Sequence, residues 1–182
     1  TVKANPDAPQ LPARRVALDA GKTVYMAVPR LRDERCFYRV DPAELADPDA
    51  AATVSGVDDH AEQVGPESVD HVDVILVGSV AVTEDGARVG KGEGYSDLEF
   101  AVLSDLGLVD DATTVVTTVH ERQVVDETVP VDEHDVPLDV VVTPERTIHT
   151  DTPYDRPRGV DWEALSEERI AEIPVLERLQ AE

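Results

Sequence analysis

The stretch VDVILVGSVAVTEDGARVGKGEGYSDLEFAVLSDL, residues 72–106, carries the signals from which the fold can be built outward. Val72 to Val77 is apolar except for Asp73 and reads as a buried strand. Thr83-Glu84-Asp85-Gly86 reads as a turn, and a glycine cluster (Gly86, Gly90, Gly92, Gly94) is set around Arg88 and Lys91. Leu98, Val102 and Leu106 recur at helical spacing, so a helix is expected to begin near Tyr95. Strand, glycine loop with cations, helix N-terminus: in that order, backbone N–H groups can converge on an anion. Glycine lets the backbone approach closely and take positive φ, while Arg88 and Lys91 add formal charge. A plain glycine-punctuated turn would carry the same glycines. Two cations kept in so acidic a chain tip the balance toward a site. The spacing fits neither G-x-x-x-x-G-K-[ST] nor G-x-G-x-x-G, so neither named phosphate motif applies.

The chain has 182 residues, a length that suits one domain with a substantial core, and residues 1–182 are read as that domain. No apolar run reaches membrane-spanning length, and nothing near Thr1 resembles a secretory signal. The single cysteine, Cys36, excludes an internal disulfide and fits a reducing cytoplasm. A net charge of −23 disfavours nucleic acid and acidic membranes as partners, because phosphate binding wants a basic face. High net charge also accompanies disorder, but the valine-rich runs supply a core. Lysine is confined to Lys3, Lys22 and Lys91, against 39 acidic residues. Such a chain is expected to be halophilic, adapted to high intracellular salt in which screening relieves self-repulsion.

Outward from the central stretch, Thr1–Asn5 reads as a first strand, followed by a rigid loop, Pro6 to Pro12, whose prolines exclude a helix interior. Arg15 to Asp19 is expected to be helical and to end at Gly21, Lys22–Val28 to be a strand stopped by Pro29, and Cys36–Val40 another. Asp41-Pro42 has the form of a helix start, and residues 47–70 read mostly as loop. Ala112–Val119 is a strand by its β-branching. Val129–Asp139 is a proline-bracketed loop, and Val140–Val142 and Thr147–His149 are short strands. From Asp161-Trp162 onward the chain reads as helical, with Pro174 ending, kinking or restarting the helix. Alternating strands and helices imply a parallel or mixed sheet covered on both faces, with ligands outside the carboxyl ends of its strands.

Candidate chemistry follows from placement. Asp97 falls on the first turn of the expected helix, where a carboxylate either favours the helix dipole or, beside a polyphosphate, holds Mg²⁺. Asp135 could serve as a second ligand, but Asp132, Glu133 and Asp139 are equal candidates by position. His60, His71, His120, His134 and His149 form no H-x-H or H-x-x-x-H pair, which argues against zinc. Ser79 sits in no G-x-S-x-G elbow, and Cys36 has no basic neighbour that would activate it. Tyr95 could stack on a flat ligand or simply pack.

The run Gly86-x-Arg88-Val89-Gly90-Lys91-Gly92-Glu93-Gly94-Tyr95-Ser96-Asp97 resembles the 5-formyltetrahydrofolate cyclo-ligase family, whose signature is roughly G-x-R-[LIV]-G-x-G-x-G-Y-Y-D. Gly21-Lys22 before a strand and Val129-Pro130-Val131-x-x-x-Asp135 extend the likeness over most of residues 1–143. The nearest flavour is the family's divergent cyclo-ligase-like branch, with G-S-V-A-V and G-K-G-E-G. The resemblance implies a three-layer α/β/α fold with a mostly parallel sheet, of the kind shared with CoA transferases and ribose-5-phosphate isomerases. It implies ATP- and Mg²⁺-dependent cyclisation of 5-formyltetrahydrofolate to 5,10-methenyltetrahydrofolate.

Carried onto this chain, the resemblance gives Arg88, Lys91 and Tyr95 as catalytic residues. Arg88, Gly90, Lys91, Gly92, Glu93, Gly94, Tyr95 and Ser96 would line ATP, and Lys91, Gly92, Gly94, Tyr95 and Asp7 would contact folate. Asp97 and Asp135 would hold Mg²⁺. The family has Tyr where Ser96 stands and Gly or Lys where Glu93 stands. Its N-terminal helix, with a Lys and an Arg that reach the nucleotide, has no counterpart, so an N-terminal helical segment is expected to be missing. The alternative implied by these departures is a non-catalytic nucleotide- or folate-binding module with a regulatory or scaffold role.

Overall fold

Eight strands hydrogen-bond into one sheet in the computed structural model, which describes residues 1–181. In chain order the elements are β1 (Val2–Ala4), α1 (Leu11–Asp19), β2 (Val24–Ala27), β3 (Phe37–Val40), α2 (Pro48–Ala51), α3 (Val57–His60), β4 (Glu62–Val64) and β5 (Val74–Val77). They continue with β6 (Ala81–Val82), β7 (Arg88–Val89), α4 (Tyr95–Asp105), β8 (Thr114–Thr118), β9 (Val140–Val142), β10 (Thr147–His149), α5 (Glu167–Ala171) and α6 (Pro174–Ala181). The sheet order is β10-β9-β8-β5-β1-β2-β3-β4, and β6 with β7 forms a separate ribbon. Strands β9, β8, β5, β1 and β2 run parallel, while β3 joins β2, β4 joins β3 and β10 joins β9 antiparallel.

Strand alternation divides the core into two layers. In β2, Tyr25 and Ala27 face one side while Val24 and Met26 face the other; in β5, Ile75 and Val77 oppose Leu76. The first side is covered by Phe100, Val102 and Leu103 of α4 and by Ile170, Val175 and Leu176 near the C-terminus. The second is covered by Leu18 of α1, Ala51 of α2 and Val57 of α3. Each large apolar side chain so buried contributes about 1.5–3 kcal/mol. This is a three-layer α/β/α arrangement.

Several local expectations need correction. The prolines of residues 6–12 do not keep a helix out: α1 begins at Leu11 with Pro12 in its first turn, where an amide has no helical acceptor to lose. Asp41-Pro42 opens only a single turn, closed by the Leu45 amide on the Asp41 carbonyl at 3.2 Å. The Asp41 side chain is drawn to Arg39 (2.7 Å) as well as to the Ala43 amide (3.0 Å). Residues 47–70 hold more structure than a loop. Asp47 caps α2 by accepting from the Ala50 amide at 2.9 Å, and β4 completes the sheet edge. The C-terminal helix starts at Glu167, capped by Ser166, rather than at Asp161, and Pro174 opens α6.

After β1 the chain pairs β2 on one side, and β5 then takes the other side of β1. The winding therefore reverses between β1 and β5. Loops leaving the carboxyl ends of those two strands diverge there and leave a crevice.

Candidate functional site

That crevice is a cleft of about 730 Å³, bordered by residues following β1 (Asn5, Asp7), β2 (Pro29) and β5 (Gly78, Ser79) and by the loop from Arg88 to Asp97. Val129, Pro130 and Asp135 close one side.

The wall after β1 is shaped by a residue of α1. Arg14 is 1% exposed and has no carboxylate partner among the described residues. Its guanidinium instead donates to backbone: Nη1 to the Asn5 (2.6 Å) and Asp7 (2.8 Å) carbonyls, Nη2 to Pro6 (3.2 Å), and Nε to Ala52 (2.9 Å). Burial lowers its pKa, against the opposing pull of Asp7. The planar fork thus fixes the turn that brings Asp7 into the cleft.

Below the cleft lies a buried polar network. Lys3 of β1 donates to Glu99 of α4 and to Asn5 Oδ1 (3.2 Å), and Asn5 Nδ2 donates to Ser96 Oγ (2.6 Å). Lys3 and Glu99 are both buried, so each charge is tolerable only because the other is present.

The ribbon β6–β7 presents Arg88 to the first turn of α4. Its Nη2 lies 2.6 and 2.7 Å from the two Asp97 oxygens, its Nη1 donates to the Gly78 carbonyl at 3.3 Å, and its buried Nε has no acceptor. Asp97 Oδ1 also accepts from the Val136 amide at 3.1 Å, which ties the loop carrying Asp135 to α4. The half-buried Asp135 accepts from the Asp132 amide at 2.8 Å. Asp139 is directed elsewhere, accepting from the Val115 amide (2.6 Å) and Arg156.

Between Arg88 and α4 the glycine loop bends through left-handed backbone, with φ of 87° at Gly92 and 69° at Gly94. A side chain at either position would be strained, and Gly94 leaves the first amides of α4 without a side-chain cap. Lys91 extends from this loop across the cleft to Asp7 Oδ1 at 2.5 Å. The contact with Asp7, and then the charge of Glu93, raise the Lys91 pKa. On the outer side, Arg169 of α5 donates to the Tyr95 hydroxyl (2.7 Å) and the Glu93 carbonyl (3.3 Å), its guanidinium carbon 4.2 Å from the ring centre. Tyr95 is therefore both packed and held from above.

One cleft thus gathers Arg88, Gly90, Lys91, Gly92, Glu93, Gly94, Tyr95, Ser96, Asp97, Asp7 and Asp135. Arg14, the Lys3–Glu99 pair and Arg169 were not found by sequence reasoning. Lys3 alone gave a signal, a lysine inside an apolar strand; no spacing rule reaches from it to Glu99, or from Tyr95 to Arg169. Among the described residues no three His, Cys, Asp or Glu side chains gather as a metal cage. The carboxylates facing this cleft near Arg88 suit an ion that takes most of its ligands from phosphate and water, as Mg²⁺ does. Cys36 is buried away from this chemistry, and desolvation pushes its thiol up to about 12.

Residues 1–144 match the 5-formyltetrahydrofolate cyclo-ligase family. A methenyltetrahydrofolate synthase domain-containing protein of Mus musculus is 44% identical over 99% of the chain and 49% of its own length. The Homo sapiens protein of the same name is 41% identical over 99% of the chain and 48% of its own length. A 5-formyltetrahydrofolate cyclo-ligase of Mycolicibacterium smegmatis is 35% identical over 45% of the chain and 39% of its own length. The chain therefore spans about half the length of the mouse and human relatives.

Proposed function

The chain belongs to the 5-formyltetrahydrofolate cyclo-ligase family, and from that membership we propose that its cleft binds ATP and 5-formyltetrahydrofolate and converts the folate to 5,10-methenyltetrahydrofolate. The observation that carries the proposal is the convergence of the glycine loop, Lys91, Arg88 and Asp97 with Asp7 at the β1–β5 switch point. When bound, ATP with Mg²⁺ supplies a transferable phosphoryl group whose charge the metal shares. Amides of Gly90 to Gly94 and the Ser96 hydroxyl hold the phosphates, and Asp97 and Asp135 hold the metal. Lys91 leaves Asp7 for phosphate oxygens, and Arg88, once Asp97 turns to a metal, supplies a second cation. Tyr95, stiffened by Arg169, lays its ring along the folate, and Asp7 accepts from a folate N–H group. The orphaned Arg88 Nε fits this reading, since a buried donor without an acceptor gains most from an anionic ligand.

A second reading, a nucleotide- or folate-binding module without catalysis, is favoured by one feature. Ser96 replaces the family's second tyrosine, and its hydroxyl already accepts from Asn5. The test is to follow methenyltetrahydrofolate absorbance from 5-formyltetrahydrofolate, ATP and Mg²⁺ across a range of KCl. Product that requires both ATP and Mg²⁺ is the expected result. No product at any salt, with ATP or folate still bound, would overturn the ligase and establish the binding module.

A further inference from the structure

The mouth of the cleft carries two arginines, Arg30 and Arg32, to which the roles above assign nothing. A second hollow of about 620 Å³ adjoins the cleft, shares Arg30, Glu93 and Tyr95 with it, and is lined as well by Arg32 and Arg169. Nine of the 16 lysines and arginines form ion pairs among the described residues; what sets Arg30 and Arg32 apart from the other unpaired ones is their place at this mouth. Arg169 has Glu172 at 3.9 Å, and Arg14 is satisfied by backbone. Arg30 and Arg32 form no ion pair among the described residues, although both border the site mouth.

The turn that presents them is unusual. Arg30 and Leu31 both occupy left-handed backbone, with φ of 61° and 51°, a region that disfavours residues other than glycine. Pro29 enters the turn and the fully buried Leu31 anchors it, so Arg30 is set on the lining of both hollows. Arg169 arrives from α5, beyond residue 144, where the family match ends. Glu93 and Glu172 border the hollow too, and the three guanidiniums still leave it net positive.

We propose that Arg30, Arg32 and Arg169 form a second anion subsite, which takes the carboxylates at the far end of a folate whose ring end occupies the main cleft. The proposal rests on the folate reading given above. Guanidinium groups suit this task because their paired donors match the two oxygens of a carboxylate. The C-terminal segment thereby adds to the site a residue that the matched region does not contain.

The test is calorimetric titration of the full chain, at fixed KCl, with 5-formyltetrahydrofolate and with its glutamyl dimethyl ester. The wild type should bind the free acid about tenfold more tightly than the ester, the scale of one charge-assisted hydrogen bond. In an Arg30→Asn/Arg32→Gln variant, which keeps only Arg169, that preference should shrink markedly, while ATP affinity is unchanged. Asparagine is chosen at position 30 because it tolerates left-handed backbone. Equal binding of acid and ester by the wild type, or a preference undiminished in the variant, overturns the subsite and leaves the folate reading standing. A loss of ATP affinity in place of the folate effect assigns the arginines to nucleotide phosphates and overturns it too. Binding of neither folate form overturns the folate reading and the subsite together.

Discussion

Arg88 Nη2 lies within 2.7 Å of both carboxylate oxygens of Asp97, so the proposed metal ligand and the proposed phosphate cation are bound to each other. The two side chains are 6% and 12% exposed, and a buried pair of this kind holds each member only by the presence of the other. A cation that takes Asp97 releases Arg88 Nη2, and an anion that bridges the free Nε and Nη2 of Arg88 releases Asp97. Mg²⁺ and ATP should therefore bind cooperatively, each weakly alone and tightly together. In Asp97→Asn, where Asp135 alone is left to hold the metal, ATP affinity should depend far less on Mg²⁺. Calorimetry on protein verified as folded by circular dichroism decides the point, and undiminished Mg²⁺ dependence in the variant would refute the metal role.

Lys91 and Asp7 make a second, looser pair across the cleft. The Lys91 side chain is 70% exposed, so the contact adds little stability and exchanges readily for a phosphate. Its raised pKa means that the contact is fully present below the ordinary lysine value and is lost as pH rises through the folded value. Lys91→Ala should weaken ATP binding by roughly 1–3 kcal/mol. Asp7→Asn should act in opposite directions on the two ligands, tightening ATP by freeing Lys91 and weakening folate by removing an acceptor. Parallel losses for both ligands in Asp7→Asn would show that Asp7 serves only the loop's structure.

Arg14 gives a prediction about the wall behind Asp7. Lysine cannot reproduce four donations from one planar group, so Arg14→Lys leaves buried carbonyls unpaired. Stability should fall by roughly 1–3 kcal/mol for each buried carbonyl left unpaired. Because the lost bonds hold residues 5–7, folate affinity should fall even at temperatures where the variant is fully folded. Urea melts and folate titrations at one temperature separate the two effects. A stability loss with unaltered folate affinity would confine Arg14 to the fold.

The contrast between Arg14 and the glycine loop shows what could be read in advance. The strand before Gly78, the turn at Asp85-Gly86 and the helix from Tyr95 follow from local periodicity and backbone freedom, and the structure has all of them. Asp97 could be placed because it lies within one turn of that helix start. Asp135 came only with the family resemblance, since Asp132, Glu133 and Asp139 carry the same charge in the same loop. The amide of Val136, which draws that loop to Asp97, is a contact across 39 residues that no local pattern encodes. Lys3 with Glu99, and Tyr95 with Arg169, are unreadable for the same reason. Asp41-Pro42 failed in the opposite way: its local helix-start signal was overridden by Arg39, which sits on a strand whose register is set by β2.

Cys36 provides a stability prediction independent of the cleft. Burial raises the thiol from 9.0 to about 12 in the folded chain. Because the folded value is the higher one, the contribution is intact below pH 9 and is lost as pH rises toward 12. The slope should approach about 1.4 kcal/mol per pH unit in that interval. Near pH 9 Cys36 dominates, since Tyr25, Tyr38 and Tyr154, also raised, begin from 10.0 and add to the slope as pH nears that value. Cys36→Ala should reduce the fall of the urea midpoint with pH near pH 9, at the cost of a small cavity. A midpoint that declines equally in the variant would assign the alkaline loss to other groups.

The charge of −23 makes a last prediction, in which the pairs described above serve as internal controls. At 1 M salt the Debye length is about 3 Å, so repulsion among exposed carboxylates is nearly removed, while a buried pair is screened far less. We infer that the melting temperature rises from low to molar KCl. Arg88–Asp97 and Lys3–Glu99 persist over that range, and the exposed Arg146 contacts with Glu84 and Glu121 weaken. Removing exposed acids should reproduce the effect of salt: neutralising Asp58 and Asp59, adjacent on α3, should raise stability at low KCl and change it little at high KCl. Asp58→Asn also removes the acceptor of Tyr38, so Asp59→Asn alone is the cleaner variant. Thermal melts across the KCl series decide it, and equal or greater stability of the wild type at low salt would sink the idea.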